Sequence, residues 1–87
     1  MAKIFIPASL RSLTAGVRVV ELPGETVRDV ILGLEALYPS LVGRLRDGDG
    51  LRPGLVVAVD TTVSPRGLKQ VLTPGNEVHF LTTLAGG

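Results

Sequence analysis

Thr26-Val27-Arg28-Asp29-Val30-Ile31-Leu32-Gly33-Leu34-Glu35-Ala36-Leu37-Tyr38-Pro39 reads as one amphipathic helix of about three turns. Val27, Val30, Ile31, Leu34, Leu37 and Tyr38 recur at helical spacing, while Arg28, Asp29 and Glu35 fall largely off that stripe. Thr26 is placed to cap the first turn. Asp29, three positions on, can return the bond in a shorter-armed capping box and also favours the positive helix N-terminus. Pro39 ends the helix, because it restricts the residue before it and cannot donate to the ladder. An apolar stripe of this width is core-forming, and the partner it needs is a sheet.

Strand signals lie on both sides of the helix. Ala2 to Pro7 alternate, with Ala2, Ile4 and Ile6 on one face and Lys3, Phe5 and Pro7 on the other. Ala8 to Gly16 reads as a connection with some helical turn near Ser9 to Leu13. Val17 to Leu22 then resumes strand composition, which predicts an antiparallel hairpin that Pro23-Gly24 stops. Beyond the helix, a short turn over Leu41 to Leu45 and a mobile loop are expected within Ser40 to Gly54. Leu55 to Asp60, apolar at nearly every position, is expected to be the central strand. Thr61 to Gly67 reads as a connection and Leu68 to Leu72 as a short edge strand. Thr73-Pro74-Gly75-Asn76 reads as a turn, and Val78 to Thr83 as the last strand.

Composition narrows the function. The 87 residues fit one domain with an aliphatic core, since there are two Phe, one Tyr and no Trp. A net charge of +1 with scattered charges gives no electrostatic footprint for nucleic acid, and the few aromatics offer little stacking surface. The absence of cysteine excludes thiolate nucleophiles and zinc-thiolate sites from this chain. Without a long apolar leader or a run of about 20 apolar residues, the expected setting is soluble and cytoplasmic, with no membrane partner.

The chain ends in Leu84-Ala85-Gly86-Gly87. Glycine carries no Cβ, so nothing shields the final carbonyl carbon, and the pair forms a narrow, accessible carboxylate. Extended, four residues reach roughly 13–14 Å at ~3.3–3.6 Å each, enough to enter a partner's channel. The expected organisation is a domain over residues 1–83 and an extended, flexible tail over 84–87.

A strand-strand-helix-strand-strand order that ends in Gly-Gly resembles the ubiquitin-like β-grasp fold, an α+β class with a mixed four- to five-stranded sheet on one main helix. Within it, the chain resembles the MoaD/ThiS family of small sulfur carriers over essentially its whole length. Leu37-Tyr38-Pro39 closing the helix, Gly75-Asn76-Glu77-Val78 before the last strand and the terminal Gly86-Gly87 carry the likeness. Ile6-Pro7 followed by Leu10-Arg11 also resembles the CysO-type carriers associated with cysteine biosynthesis. Two positions depart from the family pattern: Asn76 where it often has Asp, and Asp60 where it often has Asn after the apolar strand. Thr82-Thr83 stands where molybdopterin carriers often have paired prolines, and Ser40 to Gly54 is longer than in typical thiamin carriers.

The resemblance implies that an E1-like adenylating and sulfurtransferase partner uses ATP and Mg to adenylate the Gly87 carboxylate. Conversion to a thiocarboxylate then arms it for a sulfur-accepting biosynthetic enzyme, in cysteine, molybdopterin or other sulfur metabolism. Leu84, Ala85 and Gly86 would be recognised as the tail, and no cofactor or metal would reside on the chain. It would be a carrier and substrate with no catalytic residue of its own. A protein modifier conjugated through Gly87 and a β-grasp interaction module without tail chemistry are the alternatives. Ordering a glycine tail costs ~1–2 kcal/mol per residue, so a face of the domain must supply affinity. Alternation nominates Phe5, His79 and Leu81, on the sheet face away from the helix. His79, the only histidine, is read as a strand-surface residue, since a single imidazole without orienting partners makes a poor metal or catalytic site.

Overall fold

The computed structural model describes residues 1–82, so the tail Leu84–Gly87 and the domain limit at Thr83 lie outside the described residues. The capping box forms. Thr26 Oγ1 accepts from the Asp29 N–H at 3.3 Å, and Asp29 Oδ2 accepts from the N–H groups of Thr26 at 3.2 Å and Glu25 at 3.0 Å. Helix α1 runs Val27–Leu37 and stops ahead of Pro39. The entry turn is tight: a Cβ on Gly24 would come within 2.9 Å of Asp29 Cβ and Val30 Cγ1.

Five strands form one mixed sheet: β1 (Ala2–Phe5), β2 (Val19–Leu22), β5 (Leu55–Val59), β6 (Thr62–Ser64) and β7 (Glu77–Thr82), in the order β2-β1-β7-β5-β6. β1 and β2 are antiparallel, as expected. β1 and β7, the first and last strands, run parallel side by side. Helix α1 covers one face of this sheet, and Ile4, Ile6, Val27, Val30, Ile31, Leu34, Val78 and Phe80 meet in the core between them. Among the described residues, no helix is long and apolar enough to cross a membrane.

Five local expectations need correction. Leu55–Val59 is not the middle strand; β7 is, flanked by β1 and β5. A run that is apolar throughout reports neighbours on both sides, which β5 has in β6 and β7, without reporting its place in the order. The edge strand is Thr62–Ser64, inside the expected connection, whereas Leu68 and Leu72 enter the core from a 3₁₀ turn at Gly67–Lys69 and a single bridge between Val71 and Thr26. The expected mobile loop contains a small hairpin, β3 (Arg46–Asp47) and β4 (Gly50–Leu51), turning through Gly48 at φ +62°. The expected turn over Leu41 to Leu45 starts earlier, as a 3₁₀ turn at Pro39–Leu41, and it buries both Leu41 and Leu45.

The fifth correction is on the helix. Leu37 is 54% exposed, and Glu35, read as off the stripe, is buried. Arg46 is the reason: its Nε and Nη2 donate to Glu35 Oε1 at 3.2 and 2.9 Å, tying the hairpin to the helix. Both donors meet the one oxygen, which offsets part of the cost of burying the carboxylate, while Oε2 is left without a protein partner among the described residues.

The two departures from the family pattern meet in space. Asp60 ends β5 in a left-handed conformation, φ +55°, which Asp and Asn tolerate better than most residues. Its Oδ1 accepts from the Glu77 N–H at 2.9 Å and its Oδ2 from Asn76 Nδ2 at 2.9 Å. Asn76 Oδ1 in turn accepts from the Thr73 N–H at 2.7 Å and closes the turn that carries Gly75 at φ +87°. Relative to the common family pattern, donor and acceptor have exchanged places across one contact. Asp60→Asn opposes two amide donors, and Asn76→Asp opposes two carboxylates. Each is expected to lower stability by about 1 kcal/mol, the scale of one hydrogen bond. The double exchange restores a donor facing an acceptor, so a denaturant-melt cycle should show a coupling of roughly 1 kcal/mol or more; additive losses would contradict it.

Candidate functional site

Strand register lays the open face of the sheet out in rows. Phe5 sits beside Val19 on one side and His79 on the other, His79 beside Ala58, and Ala58 beside Val63, so all five strands contribute to one row. Leu81 and Val56 pair in the next row, toward the C-terminal end of β7. In the other direction lies a charged row of Glu21, Lys3 and Glu77. The face is therefore apolar where the last strand ends and charged at the far side.

Phe5, His79 and Leu81 thus share the face away from α1, while Ile4, Val78 and Phe80 fill the core behind them. The rings of Phe5 and His79 stack, with centroids 4.2 Å apart and planes 13° from parallel. Stacked from neighbouring strands, the two rings cover each other's inner faces and form one block on the open side of the sheet. His79 Nε2 also lies 3.4 Å from Glu77 Oε1, within the strand. Leu81, 46% exposed, stands one residue before the strand's end at Thr82. Among the described residues, no group of three or more His, Cys, Asp and Glu side chains is arranged to hold a metal ion.

Val19 and Val63 also belong to this face, and the sequence does not announce them. Both are exposed. In Val17 to Leu22 each alternating set carries one charge, Arg18 with Val20 and Glu21 with Val19, so alternation cannot tell which valine points out, and Val63 sits in a three-residue strand too short to show a period. Only pairing with Phe5 and Ala58 decides their side. Of the other expected site residues, Leu84, Ala85, Gly86 and Gly87 lie outside the described residues. The nearest described position is Thr82, directly after Leu81.

Comparison with known proteins supplies the relatives. A chain of the Amycolatopsis orientalis BexX/CysO complex matches with a TM-score of 0.87 and 29% identity, both chains covered in full. Mycobacterium tuberculosis CysO, described as an antigen, matches with a TM-score of 0.85 and 28% identity over 97% of this chain and 100% of that one. Small archaeal modifier protein 1 from Methanosarcina acetivorans matches with a TM-score of 0.79 and 28% identity over 99% and 95%. A search of curated proteins found no match. The model of the ThiS family matches residues 4–87, from inside the first strand through Gly87. That span takes in the parallel pairing of the outermost strands in sequence, the open sheet face and the Gly-Gly end, and the chain belongs to the ThiS family.

Proposed function

We propose that this protein is a sulfur carrier whose Gly87 carboxylate is the reacting group. The family match that runs through Gly87 carries the reading, supported by an apolar face that lies against the end of β7. A carboxylate is a poor acyl donor. An E1-like partner would bind the open face and use MgATP to join the Gly87 carboxylate to AMP, releasing pyrophosphate. Hydrosulfide-level sulfur from a donor on the partner then displaces AMP and leaves a thiocarboxylate, which a biosynthetic enzyme accepts as its sulfur source. The chain's own contribution is positional: Phe5, His79 and Leu81 dock, and Leu84 to Gly87 reach the chemistry.

Likeness to a small archaeal modifier protein favours a second reading, in which activated Gly87 forms an isopeptide bond with a target lysine. The intact mass of protein isolated from its native host separates the two. Replacement of one oxygen by sulfur supports the carrier, and conjugates to other proteins support the modifier. Unmodified chain under conditions of sulfur demand speaks against both.

The docking role has its own check. Phe5→Ala and Leu81→Ala should each weaken binding to the activating enzyme about tenfold, the equivalent of ~1.4 kcal/mol expected of an interface anchor. Both variants should keep a cooperative melt, since Leu81 is exposed and Phe5 is only half-buried. Unchanged affinity in both would move the docking surface elsewhere.

A further inference from the structure

A second surface lies on the helix side of the sheet. Two adjoining cavities of about 490 and 410 Å³ share Asp49, Leu68 and Lys69 and make one groove between the start of α1, the tip of the β3-β4 hairpin and the segment Pro65–Lys69. Its charged residues are three cations, Arg28, Arg66 and Lys69, and one carboxylate, Asp49. Leu51, partly buried, lies among them as apolar lining, with Leu68 of the core beneath. A Cβ on Gly67 would be 3.8 Å from Leu51 Cδ1, ordinary contact, so backbone comes close to Leu51 there without overpacking it.

Asp49 defines how this groove is used. Its side chain is 97% exposed at the hairpin tip, and its Oδ1 lies 3.3 Å from Arg28 Nη1, itself half in solvent. Such an exposed pair contributes little to stability. A carboxylate from another chain can take the place of Asp49 at Arg28 at small cost while also meeting Arg66 and Lys69. The apolar lining selects among anions. A free phosphate or a nucleic-acid backbone would leave Leu51 uncovered, and no aromatic side chain lines the groove to stack a base. A peptide can offer acidic side chains and an apolar one together.

We infer that this groove is a docking site for an acidic segment of a partner protein, one that sets an apolar side chain between its carboxylates. It is separate from the face of Phe5, His79 and Leu81, so one partner can hold the open face while another holds the groove. The inference stands apart from the sulfur chemistry, because a chain never loaded at Gly87 would bind the segment equally well.

The test is titration of the ¹⁵N-labelled full chain with the capped peptide Glu-Glu-Leu-Glu-Glu, followed by amide chemical shifts. Expected are shifts confined to Asp49–Leu51 and Arg66–Lys69 that weaken as salt rises. Arg66→Glu with Lys69→Glu should weaken binding about tenfold, while Asp49→Asn, which removes the internal competitor, should strengthen it roughly two- to threefold. Arg66, Lys69 and Asp49 are all exposed, so these variants should fold. The inference is overturned if the doubly substituted chain binds as the parent does, or if Asp49→Asn weakens binding. Equal binding of Glu-Glu-Ser-Glu-Glu, which cannot use the leucine lining, would overturn it too. So would shifts centred on Phe5, His79 and Leu81, or a short single-stranded oligonucleotide that gives the same shifts at lower concentration.

Discussion

Deletion of Gly87 should abolish sulfur loading and leave the melting transition of the domain where the parent has it. The two halves of this expectation have different physical sources. Stability is expected to be unaffected because, among the described residues, the last core residue is Phe80 and the backbone pairing of β7 ends with Thr82 opposite Leu55. Loading is lost because the new terminal carboxylate falls short by roughly 3.3–3.6 Å, one extended residue. In a preorganised site, even a 1 Å misplacement can cost on the order of a hundredfold in rate. An added residue beyond Gly87 should fail equally, by turning the reacting carboxylate into an amide. The assay is intact mass after incubation with ATP, the cognate activating enzyme and a sulfur donor. If the shortened chain gains sulfur as readily as the parent, Gly87 is not the reacting residue. If it neither gains sulfur nor melts like the parent, the terminal segment supports the fold.

This deletion and the substitutions at Phe5 and Leu81 probe successive steps. A chain lacking Gly87 should still bind the activating enzyme, because its open face is intact; Phe5→Ala should bind weakly yet load at saturating enzyme. The geometry explains why the steps separate. Leu81 is anchored in the sheet opposite Val56, so docking on the proposed face would fix where β7 ends and leave the residues that follow to span the remaining distance to the partner's active site.

How much of this was legible beforehand depends on the range of the forces involved. The helix was readable almost to the residue, because capping by Thr26 and Asp29 and termination ahead of Pro39 act within one turn. The side taken by Phe5, His79 and Leu81 was readable too, since strand alternation propagates from a single buried neighbour. Strand order was not. Thr62–Ser64 is three residues long and Arg46–Asp47 two, so neither carries a period, and their existence depends on partners that fold beside them. Contacts at long sequence separation were invisible for the same reason. Glu35 looked like a solvent-facing charge until Arg46, eleven residues on, reached it. Asp60 and Asn76 looked like two unrelated departures until their side chains met across sixteen residues. The terminal Gly-Gly, by contrast, is legible only as chemistry, because nothing in a glycine pair specifies a fold.

Leu34→Ala should be the most damaging single truncation on the helix. Leu34 is 0% exposed and belongs to the cluster in which α1 meets Ile4, Ile6, Val78 and Phe80. Removing its isobutyl end forfeits the transfer free energy of the lost carbons and leaves a cavity, which the β1-β7 pair behind it cannot collapse to fill. The expected cost is about 2–5 kcal/mol. Against a total stability of roughly 4–13 kcal/mol for a chain of this size, that is a large fraction, and Tm should fall by about 10 °C or more. Leu37 supplies the control. It lies on the same helix with the same side chain and helix propensity, but it is 54% exposed, so Leu37→Ala should cost no more than about 0.5 kcal/mol. Both substitutions exchange the same side chain for alanine, so the difference between them isolates burial. Equal losses in a denaturant melt would mean that the helix is rotated from its placement here and that both leucines share one environment. A loss at Leu34 with little change at Leu37 fixes the face of α1 that meets the sheet and, with it, which side of the sheet is left open, the side of Phe5, His79 and Leu81.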